Sequence, residues 1–247
     1  MLVDSLKFGA GGELSEAEKM QRERARIGGS KGIVAYDWSP DSKTILVPLD
    51  GDLFIADLKG DVKRLGIADG DVLDASVSPK GSYVSFVRDQ NFYVVRGVGG
   101  KEQALTSDGG GTISWGVAEF VAQEEMDRTK GAWWSPDDSR IARARVDESG
   151  VDIVSRAAIG AEGTKLFDQR YPRAGTNNAK FDLYIVSVNG GEKIKVDLGS
   201  NADIYLARVD WRPDGKSFIV QRQSRDQKTL DVLEVDGHQG KLEGSLG

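Results

Sequence analysis

A proline-centred turn recurs four times in this 247-residue chain, and the repeat constrains the fold more than any other feature of the sequence. The four copies occupy residues 38–42, 77–81, 134–138 and 211–215. Proline at the second turn position fixes φ, Asp or Ser can bond the nearby backbone, and Gly can close the turn. The prolines are 39, 57 and 77 residues apart. The shortest of these spacings is that of one four-stranded propeller blade.

Each turn is followed by a strand-like run, and each of these runs has a second run as its partner. The first runs lie at 44–48, 83–87, 140–144 and 217–220, and their partners at 53–58, 91–95, 183–188 and 230–235. This order of turn, strand, hairpin and strand is typical of a propeller blade. We therefore predict an all-β fold with about four propeller blades, which form either a small closed ring or, as a partial β-propeller, an arc of a larger one. A β-sandwich is the alternative, but the same turn at the same place in every unit favours the propeller.

Two segments interrupt the blade pattern. Residues 13–28 are predicted to form a charged N-terminal helix that lies across the surface or reaches to a neighbour, with Ser15 and Glu18 as its capping box. A short helical insertion is predicted where apolar residues recur at helical spacing. The chain is thus divided into an N-terminal helical segment and linker (1–31) and a partial propeller (32–247), the latter with the helical insertion (116–128) and a long loop (147–180).

The composition excludes several classes of partner and site. The net charge is −6 and the β part has no dense Lys/Arg cluster, so we expect no nucleic-acid partner. The lack of cysteine excludes thiolate metal sites, and the single histidine, His238, excludes a multi-histidine site, so we predict neither metal nor cofactor. No apolar run is long enough to span a membrane, and no signal-peptide pattern is visible in this chain. The acidic balance favours cationic ligands, including peptide N-termini.

Two adjacent carboxylates, Glu124 and Glu125, stand on the predicted insertion and are the first candidates for a binding site. Long side chains at a helix end can converge on one small cation, although successive helix residues diverge by about 100°. A primary ammonium has three donors, so two carboxylates and one further acceptor could hold it. We expect Arg128, four residues after Glu124, to relieve the repulsion of the pair in the empty site. The alternative is a solvated helix face, which is the usual meaning of adjacent glutamates.

Three ordered blocks carry a resemblance to a known family. They are Glu119-Phe-Val-Ala-Gln-Glu-Glu-Met-Asp-Arg128, Trp133-Trp-Ser-Pro-Asp-Asp138 and Tyr171-Pro-Arg-Ala-Gly175. In order and spacing they resemble the N-terminal propeller of bacterial dipeptidyl peptidase IV enzymes, which belong to the prolyl oligopeptidase class of serine peptidases. The sequence before these blocks resembles the same region of those proteins, so the resemblance covers about residues 12–235.

The resemblance implies an activity and a role for the glutamates. Enzymes of this family remove dipeptides from peptide N-termini, with Pro or Ala preferred at the second position, and their eight-bladed propeller covers an α/β-hydrolase domain. A Glu pair on the propeller binds the free α-ammonium of the substrate. This implies the same role for Glu124 and Glu125, with Glu119 as the competing member of the pair. The family also places an Arg near the substrate carbonyl, which we match to no position here.

The chain ends before the region in which the family carries its Ser-Asp-His triad. We therefore expect it to be inactive alone and to act with a C-terminal α/β-hydrolase domain. An open arc would expose blade faces, and we expect a homo-oligomer in which two copies cover them. For the parent protein we expect a periplasmic or secreted location. Two other functions stay open, namely a non-catalytic binding scaffold and the propeller of an acylaminoacyl-peptidase-like relative, which takes blocked N-termini and needs no Glu pair.

Overall fold

The computed structural model describes residues 3–9, 14–161 and 163–245, and in these ranges the chain forms four successive antiparallel blades. Blade 1 contains β1 (Asp37–Trp38), β2 (Thr44–Leu49), β3 (Asp52–Asp57) and β4 (Val62–Arg64). Blade 2 contains β5 (Leu73–Val77), β6 (Val84–Arg88), β7 (Asn91–Val95) and β8 (Glu102–Ala104). The sheets confirm the prediction of a partial β-propeller.

The two remaining blades follow the same order, with one addition. Blade 3 contains β10 (Ala132–Trp134), β11 (Arg140–Asp147), β14 (Lys180–Ser187) and β15 (Ile194–Lys195), while β9 (Ile113–Trp115) pairs with the far end of β11. Blade 4 contains β16 (Ile204–Trp211), β17 (Ser217–Ser224), β18 (Leu230–Asp236) and β19 (Leu242–Ser245). Every predicted strand-like run lies largely within one of these strands.

The first strands of the blades converge on one side of the arc. Strand β1 contacts β5, and β10 contacts β16. In a propeller such strands surround the central channel, so this is the inner side. Apolar side chains fill the space between neighbouring blades, with Phe86 buried between blades 1 and 2, Phe92 between blades 2 and 3, and Phe218 between blades 3 and 4.

The proline turns also join one blade to the next. The residue two positions after each proline has a left-handed backbone, with φ of 56° at Ser42, 75° at Gly81, 63° at Asp138 and 68° at Gly215. In blade 3 the buried carboxylate of Asp138 reaches the turn of blade 2. It accepts hydrogen bonds from Ser78 Oγ at 2.7 Å, Lys80 N at 2.8 Å and Ser82 N at 3.2 Å. A single side chain therefore ties two blades together.

The N-terminal segment contains two helices, α1 (Ser5–Phe8) and α2 (Glu16–Arg24). The predicted cap is present, because Glu18 N donates to Ser15 Oγ at 3.1 Å. Residue 13 of the predicted helix lies outside the described residues. The same holds for residues 1–2 and 10–12 of the predicted N-terminal segment and for residues 162 and 246–247 of the predicted propeller. The ring of Phe8 packs on Phe54 with centroids 5.9 Å apart, on the face of blade 1 turned away from blade 2. One outer blade face is thus covered within the chain.

The prediction of a long loop over residues 147–180 is wrong for much of its length. Strands β12 (Ile153–Gly160) and β13 (Gly163–Arg170) pair there as a two-stranded hairpin. Most of their side chains are exposed, so the hairpin has no apolar–polar alternation to mark it in the sequence. The helical insertion is present but shorter than predicted, as α3 (Phe120–Glu125). Within the described part of the chain, no helix is long and apolar enough to cross a membrane.

Candidate functional site

The segment that carries the glutamates lies at the inner side of the arc. It connects β9 to β10, and α3 packs against β16, the first strand of blade 4. After the helix, Arg128 Nε donates to Leu206 O of β16 at 3.0 Å, and Lys130 Nζ donates to Ala75 O of β5 at 3.2 Å. These bonds attach the segment to the inner strands of blades 2 and 4.

A side-chain cap fixes the first turn of helix α3, and a left-handed residue follows its last turn. Glu119 is its N-cap, and Glu119 Oε1 accepts a hydrogen bond from Ala122 N at 3.0 Å. The helix ends at Glu125, and Asp127 then adopts a left-handed φ of 52°. This turn directs Arg128 back toward the start of the helix rather than along its axis.

Arg128 forms a buried ion pair with Glu119. Arg128 Nη2 lies 2.7 Å from Glu119 Oε2, and the two side chains are only 4% and 3% exposed. The other two guanidinium nitrogens of Arg128 donate to backbone carbonyls, Nε to Leu206 O and Nη1 to Lys130 O, both at 3.0 Å. Burial lowers the pKa of Arg128, and the charge of Glu119 opposes that change. Glu119 therefore serves the packing of the segment, and its carboxylate is already occupied.

Glu124 and Glu125 differ from Glu119 in being accessible. Glu124 Oε2 lies 3.5 Å from Arg26 Nη2, in a pair whose side chains are 20% and 82% exposed. Glu125 is exposed. The expectation that Arg128 would neutralise Glu124 is wrong, since Arg128 pairs with Glu119 and the cation beside Glu124 comes from the segment that follows α2. Nothing in the local sequence spacing links Arg26 to a residue 98 positions away.

The three blocks of the resemblance meet around α3. The ring of Phe120 packs edge-on against Tyr171, with centroids 4.9 Å apart. The guanidinium of Arg128 lies over Trp133, 5.8 Å from the ring centroid. On the other side, Arg24 of α2 covers Phe120 at 5.2 Å. Three blocks that are separate in the sequence thus form one local structure.

A cavity of about 330 Å³ lies between α2 and the inner ends of blades 2 and 3. It is lined by Gln21 and Arg24 from α2, Asp74 from β5, and Glu119 and Gln123 from the α3 segment, among others. Glu124 and Glu125 are not among the residues that line this cavity. The cavity was not foreseen from the sequence, because it depends on where α2 lies. The charged character of α2 was the only signal that it crosses a surface.

Burial raises the pKa values of two carboxylates that line this cavity. Desolvation raises the pKa of Asp74 to about 6, against the attraction of Lys130 and a hydrogen bond from Gln21 Nε2 to Asp74 Oδ1. Burial also raises the pKa of Glu148, an effect that the charge of Arg24 opposes. The pKa of Arg24 is lowered by burial, with Glu148 and Glu124 acting in the other direction. Burial is therefore the main cause of the pKa shifts between α2 and α3, and the attraction between opposite charges only partly offsets it.

Comparisons with known proteins agree on one family. Residues 39–246 match the sequence model described as the dipeptidyl peptidase IV (DPP IV) N-terminal region. The "Probable dipeptidyl-aminopeptidase B" of Ajellomyces capsulatus (strain H88) is 31% identical over 248 residues, which is 88% of this chain and 27% of that protein. Its counterpart in Ajellomyces dermatitidis is 29% identical over 247 residues, again 88% and 27% of the two chains.

A solved structure gives the same result for the fold. The crystal structure of Porphyromonas gingivalis dipeptidyl peptidase 4 matches 89% of this chain with a TM-score of 0.75 and 26% identity. The match covers 33% of that chain. The present chain thus spans about a quarter of the length of the curated relatives it matches, at 27%, and a third of this structure.

Proposed function

Because the chain belongs to the dipeptidyl peptidase IV family, as the N-terminal region of such a protein, we propose that it is the substrate-recognition part of a serine peptidase. The proposed reaction is the release of X-Pro or X-Ala dipeptides from peptide N-termini. The observation that carries the proposal is the pair of accessible carboxylates on α3, at the inner side of a propeller whose residues 39–246 match the family. The chemistry itself would require a C-terminal α/β-hydrolase domain as partner.

Glu124 and Glu125 are the proposed ligands of the substrate α-ammonium. An ammonium group offers three donors, and charge-assisted bonds to carboxylates are the strong ones. Glu119, the third candidate from the sequence, is left out of this assignment because its carboxylate is buried against Arg128. A free N-terminus held at one end of the site would set the distance to the bond that is cut, which accounts for the release of dipeptides.

The ion pair between Arg26 and Glu124 does not prevent this binding. The pair is long, at 3.5 Å, and Arg26 is 82% exposed. Exposed pairs contribute roughly 0–1 kcal/mol, whereas a hydrogen bond to a charged group contributes about 1.5–3 kcal/mol when desolvated. A substrate ammonium that makes two such bonds can therefore displace Arg26.

The proposal is tested by Glu125→Ala in the full-length protein. The expected result is a loss of about 2–4 kcal/mol in kcat/KM for dipeptidyl substrates, which is roughly 30- to 1,000-fold. The control is Glu192→Ala, which removes an exposed carboxylate from the loop between β14 and β15 and leaves kcat/KM unchanged. An unchanged kcat/KM for Glu125→Ala refutes the assignment of that residue.

The two alternative functions give different results in the same assay. An acylaminoacyl-peptidase-like enzyme would cleave N-acetylated peptides and have no use for the Glu pair. A binding scaffold would cleave neither acetylated nor free-amine peptides. The accessible carboxylates favour the dipeptidyl peptidase, for which hydrolysis is confined to peptides with a free α-ammonium.

Self-association is a second part of the proposal. The hairpin formed by β12 and β13 exposes large apolar side chains, with Ile159 at 83% and Leu166 at 76%. Because exposed apolar surface of this kind is found at protein interfaces, the hairpin is a better candidate for contact with a second copy than blade 1, whose outer face is covered. Light scattering of the 247-residue chain should show a dimer. The double variant Ile159→Lys/Leu166→Lys should be a monomer. A monodisperse wild-type monomer would contradict the expected homo-oligomer.

A further inference from the structure

A buried arginine between blades 2 and 3 has no carboxylate within ion-pair distance among the described residues, although Asp108 attracts it from further away. Arg143 lies in β11, and its side chain is fully buried. Its guanidinium packs between two rings, 5.1 Å from the centroid of Trp115 and 5.8 Å from that of Phe92. Nη2 donates to Leu105 O at 2.9 Å. This hydrogen bond links the two blades but does not neutralise the charge.

Three hydrogen-bond donors in this place have no acceptor among the described residues. They are Arg143 Nε, Arg143 Nη1 and Trp115 Nε1. Buried donors are almost always paired in native proteins, and an unpaired buried charge is the most unfavourable case. Because the guanidinium of Arg143 packs on the ring of Trp115, a single acceptor beside the two side chains would satisfy donors of both.

The local charges also leave a positive excess. Lys193 Nζ lies over Trp115, 4.7 Å from the ring centroid, and pairs with Asp108 at 3.0 Å. The carboxylate of Asp108 is thus already engaged, and among the described residues Arg143 has no carboxylate within ion-pair distance. Burial lowers the pKa of Arg143 to about 9 against the attraction of Asp108, so the guanidinium is still protonated at neutral pH. Asp108 is shared with Lys193, and one carboxylate cannot balance two cations. The missing acceptor should therefore carry a negative charge.

We propose that a small monovalent anion of the size of chloride binds between blades 2 and 3, where it accepts hydrogen bonds from Arg143 and Trp115. A water molecule would satisfy donors but leave the charge uncompensated. Strand β9 ends at Trp115 and continues through Gly116 into the segment that carries α3. The anion therefore binds at the base of the candidate site and stabilises the strand that leads into it.

The first test is thermal unfolding of the 247-residue chain in sodium gluconate, with chloride added at constant ionic strength. A ligand that binds only the folded state raises Tm with a saturable dependence on concentration, here by about 2–6 °C. In Arg143→Met this dependence disappears. In Arg222→Met, which removes a half-buried arginine of blade 4 that is paired with Asp231, it is retained. A wild-type Tm that does not respond to chloride overturns the proposal, as does a response that survives in Arg143→Met.

The second test does not depend on a variant that folds. Crystals of the wild-type chain grown in sodium bromide should show an anomalous peak within about 3.5 Å of the donors of Arg143 and Trp115, which is hydrogen-bond range for a halide. A peak at that place supports the site. Density without anomalous signal identifies a water molecule and overturns the proposal.

Discussion

The carboxylate of Glu119 lies 2.7 Å from the guanidinium of Arg128, and both side chains are almost completely buried. This pair fixes the base of the α3 segment against blade 4, because Arg128 also donates to Leu206 O. It separates the three glutamates of the segment into one with a packing role and two that stay accessible. The assignment of Glu124 and Glu125 depends on this separation.

Glu119→Ala should destabilise the chain far more than removal of either accessible glutamate. Breaking a buried ion pair leaves the remaining charge uncompensated, which costs about 3–5 kcal/mol, and the N-cap bond to Ala122 is lost as well. The free energy of unfolding from urea denaturation measures this loss. Glu125→Ala is the matched control and should change it by less than about 0.5 kcal/mol. Equal stability of the two variants would contradict the packing role of Glu119.

Asp138→Gly should weaken the junction between blades 2 and 3. Glycine accepts the left-handed φ of 63° at this position, so the loss comes from the three hydrogen bonds to Ser78, Lys80 and Ser82. The expected cost is about 2–4 kcal/mol, since donors are left unpaired. The control is Ser42→Gly at the equivalent position of blade 1, which should be close to neutral. A neutral Asp138→Gly in urea denaturation would show that the turn carboxylate does not hold the blades together.

Asp74 should make the chain less stable as pH rises. Its folded-state pKa of about 6 exceeds the unfolded value of about 3.9, so the folded state holds the proton more tightly. Its contribution to stability is therefore lost between about pH 4 and pH 6. The pKa of about 6 already includes the opposing attraction of Lys130 and Arg128. Asp74→Asn keeps an acceptor for Gln21 and tolerates the left-handed φ of 52°.

The measurement for Asp74 is the free energy of unfolding of wild type and Asp74→Asn at pH 4, 6 and 7.5. The stability of the variant relative to wild type should rise by about 3 kcal/mol between pH 4 and pH 7.5, because a pKa shift of about two units corresponds to that free energy. A difference that does not vary with pH would contradict the raised pKa.

The sequence was sufficient to locate all four blades, because the signals are local. In blades 1, 2 and 4 the proline turn and the two runs after it lie within about 20 residues of each other, as in Pro40, Thr44–Leu49 and Asp52–Asp57. In blade 3 the second run is delayed to Lys180–Ser187, but its alternating apolar residues still mark it. The hairpin formed by β12 and β13 escaped detection because its strands are exposed and pair only with each other. Alternation of apolar and polar residues arises when one face of a strand is buried. Neither of these strands has such a face, so the alternation is absent.

The residues of the candidate site could be predicted from the sequence, but their contacts could not. The sequence marked Glu119, Glu124 and Glu125, yet the left-handed turn at Asp127 redirected Arg128 from the expected Glu124 to Glu119. The pairing of Arg26 with Glu124 depends on tertiary placement of the N-terminal segment. Both outcomes arise from the position of whole elements, which residue spacing along one helix does not encode.

The most direct test of the central claim compares a free-amine substrate with its desamino analogue in the full-length protein. If Glu124 and Glu125 bind the α-ammonium, kcat/KM of the wild type for the free amine should exceed that for the analogue by roughly 30- to 1,000-fold, the equivalent of about 2–4 kcal/mol. In Glu124→Gln/Glu125→Gln this preference should largely disappear, because only the free-amine substrate loses its partners. A double variant that keeps the wild-type preference, or that slows both substrates equally, would contradict the claim.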